Sequence, residues 1–448
     1  MTTAIEQLGD HLAALGSRGV DAALDARLRL HIADSVAAWI AGAHTAEGRA
    51  LSGHWQRLAE ADGLAEAALP DRVSRNCALA RLSEIDDIHL ASMTTPGSIV
   101  VVGALTIQRE LPGVAAADLG PAILAGYEAM IRLGRAIDGP TMLYRGIWPT
   151  YLAAPFGIAA VAARLLRLDA AQTAHALALG LTLASPGVGH HNAATTSRWF
   201  AAGNAARNGL TAALAARSGF TSDLNLIDGG FLANVYGIKP DAAALTDGLG
   251  AAILDEVSFK PWCAARQTMA ATQGLREVLD GGVHAAHVTA VRAAVLPPHQ
   301  KMIDHGVIAG DRASHLTSLQ YQMAVAALEP GAADEVGQAR GALDPSLEAF
   351  MRRITVVADD TLLATYPAAW PARVSVTTAA GTQERAVTHV PGDPARPSGK
   401  EDVATKFVRF AGAAMGGKSA AELFARIVNG RDEDSLGLVD EIEAACRP

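Results

Sequence analysis

The sequence predicts a mainly α-helical protein with a smaller α+β domain set into it. Three observations predict this class. Alanine and leucine recur with helical spacing from Met1 to about Leu254. A stretch with β-prone segments follows. The tail, Lys400 to Cys446, then returns to a helical pattern. The economical arrangement is one large all-helical domain built from both chain ends, residues 1–258 and 393–448, with residues 259–392 as the inserted α+β domain.

The elements read in order. Helices are predicted over Ala22–Ala41, Gly97–Glu110, Leu119–Ala136, Pro149–Leu168, Ala170–Leu183 and Trp199–Ser218. Several are apolar on most faces, which predicts burial in a large bundle. Thr95-Pro96 suits an N-cap followed by proline at the first helical position. Asp169 is placed to cap the helix from Ala170, and Gly219 stands where a helix should stop. Strands are expected at His287–Leu296, Arg353–Ala358, Arg373–Thr378 and Glu384–His389, the last two forming a hairpin. Helices are expected at Ser314–Leu328 and Pro345–Met351 between them. The breaker-rich run from Pro391 to Gly399 is a loop.

Composition bounds the function. Half of the 448 residues are hydrophobic and 19% are charged. A chain of this size buries about three quarters of its unfolded surface, so general disorder is excluded. The net charge of −9 lacks the basic excess of a nucleic-acid binder. Cys77, Cys263 and Cys446 form no Cys-x-x-Cys pair, so no disulfide framework, zinc ribbon or iron–sulfur cluster is expected. The first residues carry no signal-peptide pattern. The longest apolar stretch, near Ile99–Ile107, is about half of the roughly 20 residues that span a bilayer. A soluble cytoplasmic protein with no nucleic-acid or membrane partner is the expectation.

Four constellations could carry chemistry. Glu84-Ile85-Asp86-Asp87-Ile88-His89 packs three acids and a histidine beside an apolar helix. It could transfer protons or bind a metal; alternatively Asp86 and Asp87 cap helices and bond loop amides. The first-turn amides of the helix that follows, at Gly97 and Ser98, could hold a carboxylate. Gly187-Val-Gly-His190-His191-Asn192, running on to Thr195-Thr196-Ser197-Arg198, is either a surface turn or an anion-binding loop with Arg198 as a bidentate donor. Lys260 and Arg266, in Ser258–Gln267, could bind carboxylates near a domain boundary, where ligand sites are common, or are surface charge at a linker. Pro297–Lys301, Asp304-His305 and Asp311–His315 read as a polar loop leading to a helix, from which His299 or Lys301 could reach a cleft. There Asp311 or Ser314 can simply cap. No dinucleotide fingerprint, P-loop, His-Glu-x-x-His or nucleophile-elbow motif is present.

Together these segments resemble the MmgE/PrpD family, which includes 2-methylcitrate dehydratase, cis-aconitate decarboxylase and iminodisuccinate epimerase. The carrying segments are RLSEIDDIHLASMTTPGSIVVVGAL, GYEAMIRLGRAI, GIWPTYLAAPFGIAAVAARLLRLDAAQTAHALAL, ATTSRWFAAGNAARNGL, FKPWCAARQT and SHLTSLQYQMAVAAL. Each is moderately specific, and their order carries the resemblance from about Arg29 to Ala425. It implies a large helical domain with a smaller α+β lid, a homodimer, a site in the cleft between the domains, and no metal or organic cofactor.

The family's site residues transfer in part. Asp86 and Asp87 match its acids, but Thr95-Pro96 stands in place of a His-Pro pair. A second family histidine falls on Trp148. The family's substrate-binding lysine falls on Arg198, and Lys260 matches its Lys-Pro motif. A decarboxylase histidine falls on Ala265, beside Arg266, and a tyrosine falls near Lys301. Two imidazoles are thus replaced by groups that do not titrate near neutral pH. Candidate replacements are His89, His191 and His299, with His89 and His191 favoured.

The implied function is a cofactor-independent lyase or isomerase acting on a small carboxylate by dehydration, decarboxylation or epimerisation. A proton α to a carboxylate or carbonyl leaves, and cationic side chains stabilise the enolate. The expected catalytic set is Asp86, Asp87, His89 and Lys260. The expected binding set is Thr95, Trp148, His191, Arg198, Arg266, His299 and Lys301. Trp148 makes the pocket more apolar, which argues for a substrate with fewer carboxylates than the family's tricarboxylates. The alternatives are a catalytically silent anion-binding homologue and a metal-dependent hydrolase built on Asp86, Asp87, His89 and His191.

Overall fold

The computed structural model describes residues 2–15, 20–111, 116–187, 189, 195–250, 253–337, 339–430 and 435–447. The chain forms two compact units. One comprises Met1–Gly189, Thr196–Ser258 and Gly399–Pro448; the other comprises His190–Thr195 and Phe259–Ser398.

The first unit is helical. Its main elements are α1 (Ala4–Ala14), α2 (Ala22–Ala43), α3 (Ala46–Ala61), α4 (Leu69–Leu82), α5 (Gly97–Glu110), α6 (Leu119–Ala136), α7 (Gly139–Leu143), α8 (Pro149–Leu165), α9 (Ala170–Thr182) and α10 (Ser197–Arg217). Helices Lys400–Met415, Gly417–Asn429 and Ser435–Ala445 complete it. At its centre α8 packs against α6, α9 and α10. Every residue of α8 except Arg164 is buried, as an all-round apolar helix requires. Small residues let these helices approach closely. A Cβ on Gly209 of α10 would lie 2.5 Å from the Pro155 carbonyl of α8. One on Gly42 of α2 would lie 1.8 Å from the Leu79 carbonyl of α4.

Local chemistry sets the ends. Asp169 caps α9 with Gln172 in a reciprocal capping box. Gly219, at φ 90°, follows α10 in the left-handed region. The predicted extension of α8 to Leu168 stops three residues short, because Arg167 adopts φ 54°. Thr95 caps nothing: its hydroxyl lies 3.3 Å from Thr150 Oγ1. The amide of Gly97, which opens α5, instead donates to Asp87 Oδ1 at 2.7 Å. A two-residue antiparallel ribbon joins β1 (Ile88–His89) to β2 (Val257–Ser258).

The second unit holds a four-stranded sheet of β3 (Ala290–Val295), β4 (Ile354–Ala358), β5 (Ala372–Thr378) and β6 (Gly381–Val387), in the order β4-β3-β5-β6. β3 runs parallel to β4 and antiparallel to β5; β5 and β6 form the hairpin. Helix Arg266–Asp280 packs on β5 and β6, and helix Leu319–Leu328 packs on it in turn. Two expectations are corrected. The predicted helix over Ser314–Leu328 is two helices, Arg312–Thr317 and Leu319–Leu328, broken where Ser318 turns extended and caps the second through the Tyr321 amide. The polar loop after β3 contains a helix, Pro297–Ile303, started by proline in its first turn. Asp311 caps helix Arg312–Thr317. Among the described residues no helix is long and apolar enough to cross a membrane.

Candidate functional site

The acidic loop after α4 is heavily bonded to its surroundings. It begins at Glu84 in the left-handed region, φ 58°, which a non-glycine residue holds only when neighbours fix it. Arg81 Nη1 meets Glu84 Oε2 at 2.9 Å, and Trp199 Nε1 donates to Glu84 Oε1 at 3.3 Å. Asp86 and Asp87 are both buried. Asp86 accepts from Ser98 Oγ at 2.9 Å and from Arg81 at 3.2 Å. Asp87 accepts from the Gly97 amide and, at 2.6 Å, from Tyr127 Oη. His31 Nδ1 of α2 lies 3.4 Å from Asp87 Oδ2. Burial and the Asp87 charge hold the Tyr127 phenol far above its ordinary value, so it is a donor.

One cation reaches this loop from the far end of the chain. Lys406 of helix Lys400–Met415 donates to Asp34 Oδ1 at 2.5 Å and to the Ile85 carbonyl at 2.7 Å. Burial pushes the Asp34 carboxyl up to about 6; Lys406 opposes the shift and Asp87 adds to it. The loop is therefore an internally bonded frame that fixes two carboxylates, each by at least two donors.

His89 sits in the same loop with a different task. Its Nδ1 lies 3.1 Å from the Ser92 amide nitrogen, and its Nε2 lies 3.4 Å from Glu256 Oε2 and 3.1 Å from Arg135 Nη2. Arg135 pairs with the same Glu256 carboxylate. Burial lowers the His89 imidazole below its ordinary value, so the ring is neutral. It ties the loop to β2 and α6.

Thr95 and Trp148 both adjoin the first turn of α8. The Thr95 amide donates to Thr150 Oγ1 at 3.1 Å. Trp148 immediately precedes α8, and its ring stacks on Tyr151 with centroids 5.5 Å apart and planes 8° apart. The Arg198 guanidinium lies 5.7 Å from the Trp148 centroid and 5.0 Å from that of Trp199. Burial pushes the Tyr151 phenol up to about 12, partly offset by Arg81.

The second unit carries the other predicted residues. Lys260 is buried. Arg266 and Asp393 form a buried ion pair, with Nη2 at 2.8 and 2.7 Å from the two carboxylate oxygens. His299 packs edge-on to Trp370, centroids 4.8 Å apart, and the Arg266 guanidinium lies over the same indole at 5.7 Å. Burial, with Arg266 near, pushes the His299 imidazole down to about 3, so it is neutral at physiological pH. Lys301 is exposed on helix Pro297–Ile303. His191 lies outside the described residues. Among the described residues no group of three or more His, Cys, Asp and Glu side chains could hold a metal ion.

Composition and motif reasoning passed over His31, Tyr127, Arg81, Asp34 and Lys406. One signal was present: Lys406 stands with Val403, Phe407 and Phe410 on the buried stripe of its helix.

One unit is helical and holds two buried, multiply bonded carboxylates; the other is built on a mixed four-stranded sheet. Two family models match the chain in order: the MmgE/PrpD N-terminal domain over residues 6–242 and the MmgE/PrpD C-terminal domain over residues 262–429. The chain belongs to the MmgE/PrpD family, whose members are generally lyase- or dehydratase-type enzymes. A comparison with curated proteins gives no match.

Proposed function

We propose that the protein is a cofactor-independent lyase or isomerase that removes a proton α to a carboxylate or carbonyl of a small carboxylate substrate. One observation carries this: both family domains match in order over most of the chain. The acidic loop supports it. Asp86 and Asp87 are held by fixed donors before any substrate arrives, as preorganised catalysis needs. Recognition of the substrate carboxylate falls to the cations Arg198, Lys260, Arg266 and Lys301 in this proposal. Lys260 is the proposed acid or base, as the family's Lys-Pro motif implies. Asp86 and Asp87 order the loop, Asp87 also orients the His31 imidazole, and His89 anchors the loop. Thr95, Trp148, His191 and His299 contact substrate in this proposal. A homodimer is part of it.

The test is conversion of hydroxy, imino and unsaturated mono-, di- and tricarboxylates, followed by proton NMR. Turnover that falls about a hundredfold or more in Lys260→Ala fits loss of a general acid or base. Binding without conversion of any member points instead to a catalytically silent homologue.

A further inference from the structure

At the start of α8 two buried hydrogen-bond donors have no acceptor among the described residues. Tyr151 is fully buried and its Oη has no hydrogen-bond partner among the described residues. Trp148 is 8% exposed and its Nε1 has none either. Orphaned buried donors are uncommon, because each costs about 1–3 kcal/mol of desolvation. The two belong to one place: the rings stack 5.5 Å apart and nearly parallel. A cation adjoins them, since the Arg198 guanidinium lies 5.7 Å from the Trp148 centroid. The phenol is protonated at any physiological pH, so it offers a proton and not a charge. Glu84 is already engaged by Arg81 and Trp199, so the acids of the neighbouring loop are not the missing acceptors.

Two N–H or O–H donors beside a guanidinium match an anionic oxygen pair. Charge-assisted bonds from such a set are the strong kind. An aromatic wall suits a ligand whose other end is apolar or small.

We propose that Tyr151 Oη and Trp148 Nε1, flanked by Arg198, form a subsite that takes one carboxylate group of the substrate. This deepens the proposed function and rests on its substrate class. It also alters the expected role of Trp148, which then contributes a directed donor as well as an apolar face. Tyr151 becomes a specificity-determining residue.

The experiment is calorimetric titration of the intact protein with acetate, malonate, succinate, malate and citrate, on wild type, Tyr151→Phe and Trp148→Phe. Both variants keep an aromatic ring and remove one donor. Each is expected to bind the best wild-type ligand about ten- to a hundredfold more weakly. Without ligand, Tyr151→Phe is expected to melt at the wild-type temperature or above it, because its orphaned hydroxyl is gone. Wild-type affinity in both variants overturns the subsite, and so does a clear fall in the ligand-free melting temperature of Tyr151→Phe. Should one variant fail to fold, the other decides by affinity. Proton exchange on the bound ligand separates the two claims. Exchange intact with unaltered affinity in both variants sinks the subsite alone. Weakened binding in the variants of a protein that exchanges no proton supports the subsite and removes the catalytic reading.

Discussion

Asp34 gives the sharpest stability prediction. Its carboxyl moves from 3.8 to about 6 on folding because burial outweighs the attraction of Lys406. A displacement of that size corresponds to about 3 kcal/mol. The sign follows from proton counts. Between pH 3.8 and about 6 the folded carboxyl holds a proton that the unfolded one has lost. Folding stability therefore rises as pH falls through this window, and the full cost of the buried charge stands at neutral pH. Asp34→Asn removes this dependence and keeps an acceptor for Lys406. At pH 4 the wild-type carboxyl is itself protonated, so its charge pairing with Lys406 separates wild type from variant only as pH rises. The informative quantity is thus the difference between the two pH profiles. Urea unfolding from pH 4 to pH 7 should show the variant gaining about 2–3 kcal/mol relative to wild type across that range. A flat difference, or one that moves the other way, refutes the assignment of a buried, high-pKa carboxyl at Asp34.

Three further outcomes follow from packing and pairing. Tyr127→Phe removes the phenolic donor to Asp87 and should cost about 2 kcal/mol in chemical denaturation, the usual loss for a bond to a charged acceptor; an unchanged midpoint contradicts the frame described for the loop. Asp393→Ala leaves Arg266 buried without its counter-ion and should destabilise by about 3–5 kcal/mol, read as loss of the unfolding baseline of the second unit. Gly42→Ala forces a methyl into the Leu79 carbonyl and should cost about 2–3 kcal/mol through displacement of α2 from α4, read by melting temperature; a neutral result denies the close approach.

The sequence was most legible where local chemistry decides. The bounds of α5 and α6 follow from apolar runs that end at charged or polar residues. The Asp169 capping box and the Gly219 stop are each visible within a few residues. All four strands of the sheet were visible as β-prone runs, with β6 shifted by two or three residues because its exposed first half carries no apolar alternation. The candidate site was less legible because its partners are remote. Asp87 is bonded by residues 56 and 40 positions away, and Ile85 by one 321 positions away. Such pairings exist only after the helices pack. Thr95-Pro96 shows the same limit at short range. The dipeptide suited a cap, but a neighbouring carboxylate, Asp87, was better placed to take the Gly97 amide. That amide is therefore occupied and is not a substrate donor, contrary to the expectation from the helix start.

Deuterium incorporation tests the central claim most directly. The protein would be incubated in deuterated buffer with a panel of hydroxy, imino, di- and tricarboxylic acids, and each α carbon followed by NMR. The account predicts wash-in at an α position of at least one member, lost in Lys260→Ala and in Asp86→Asn. No wash-in with any member, from a protein that those same acids stabilise against heat, would contradict proton abstraction and leave a binding protein on this scaffold.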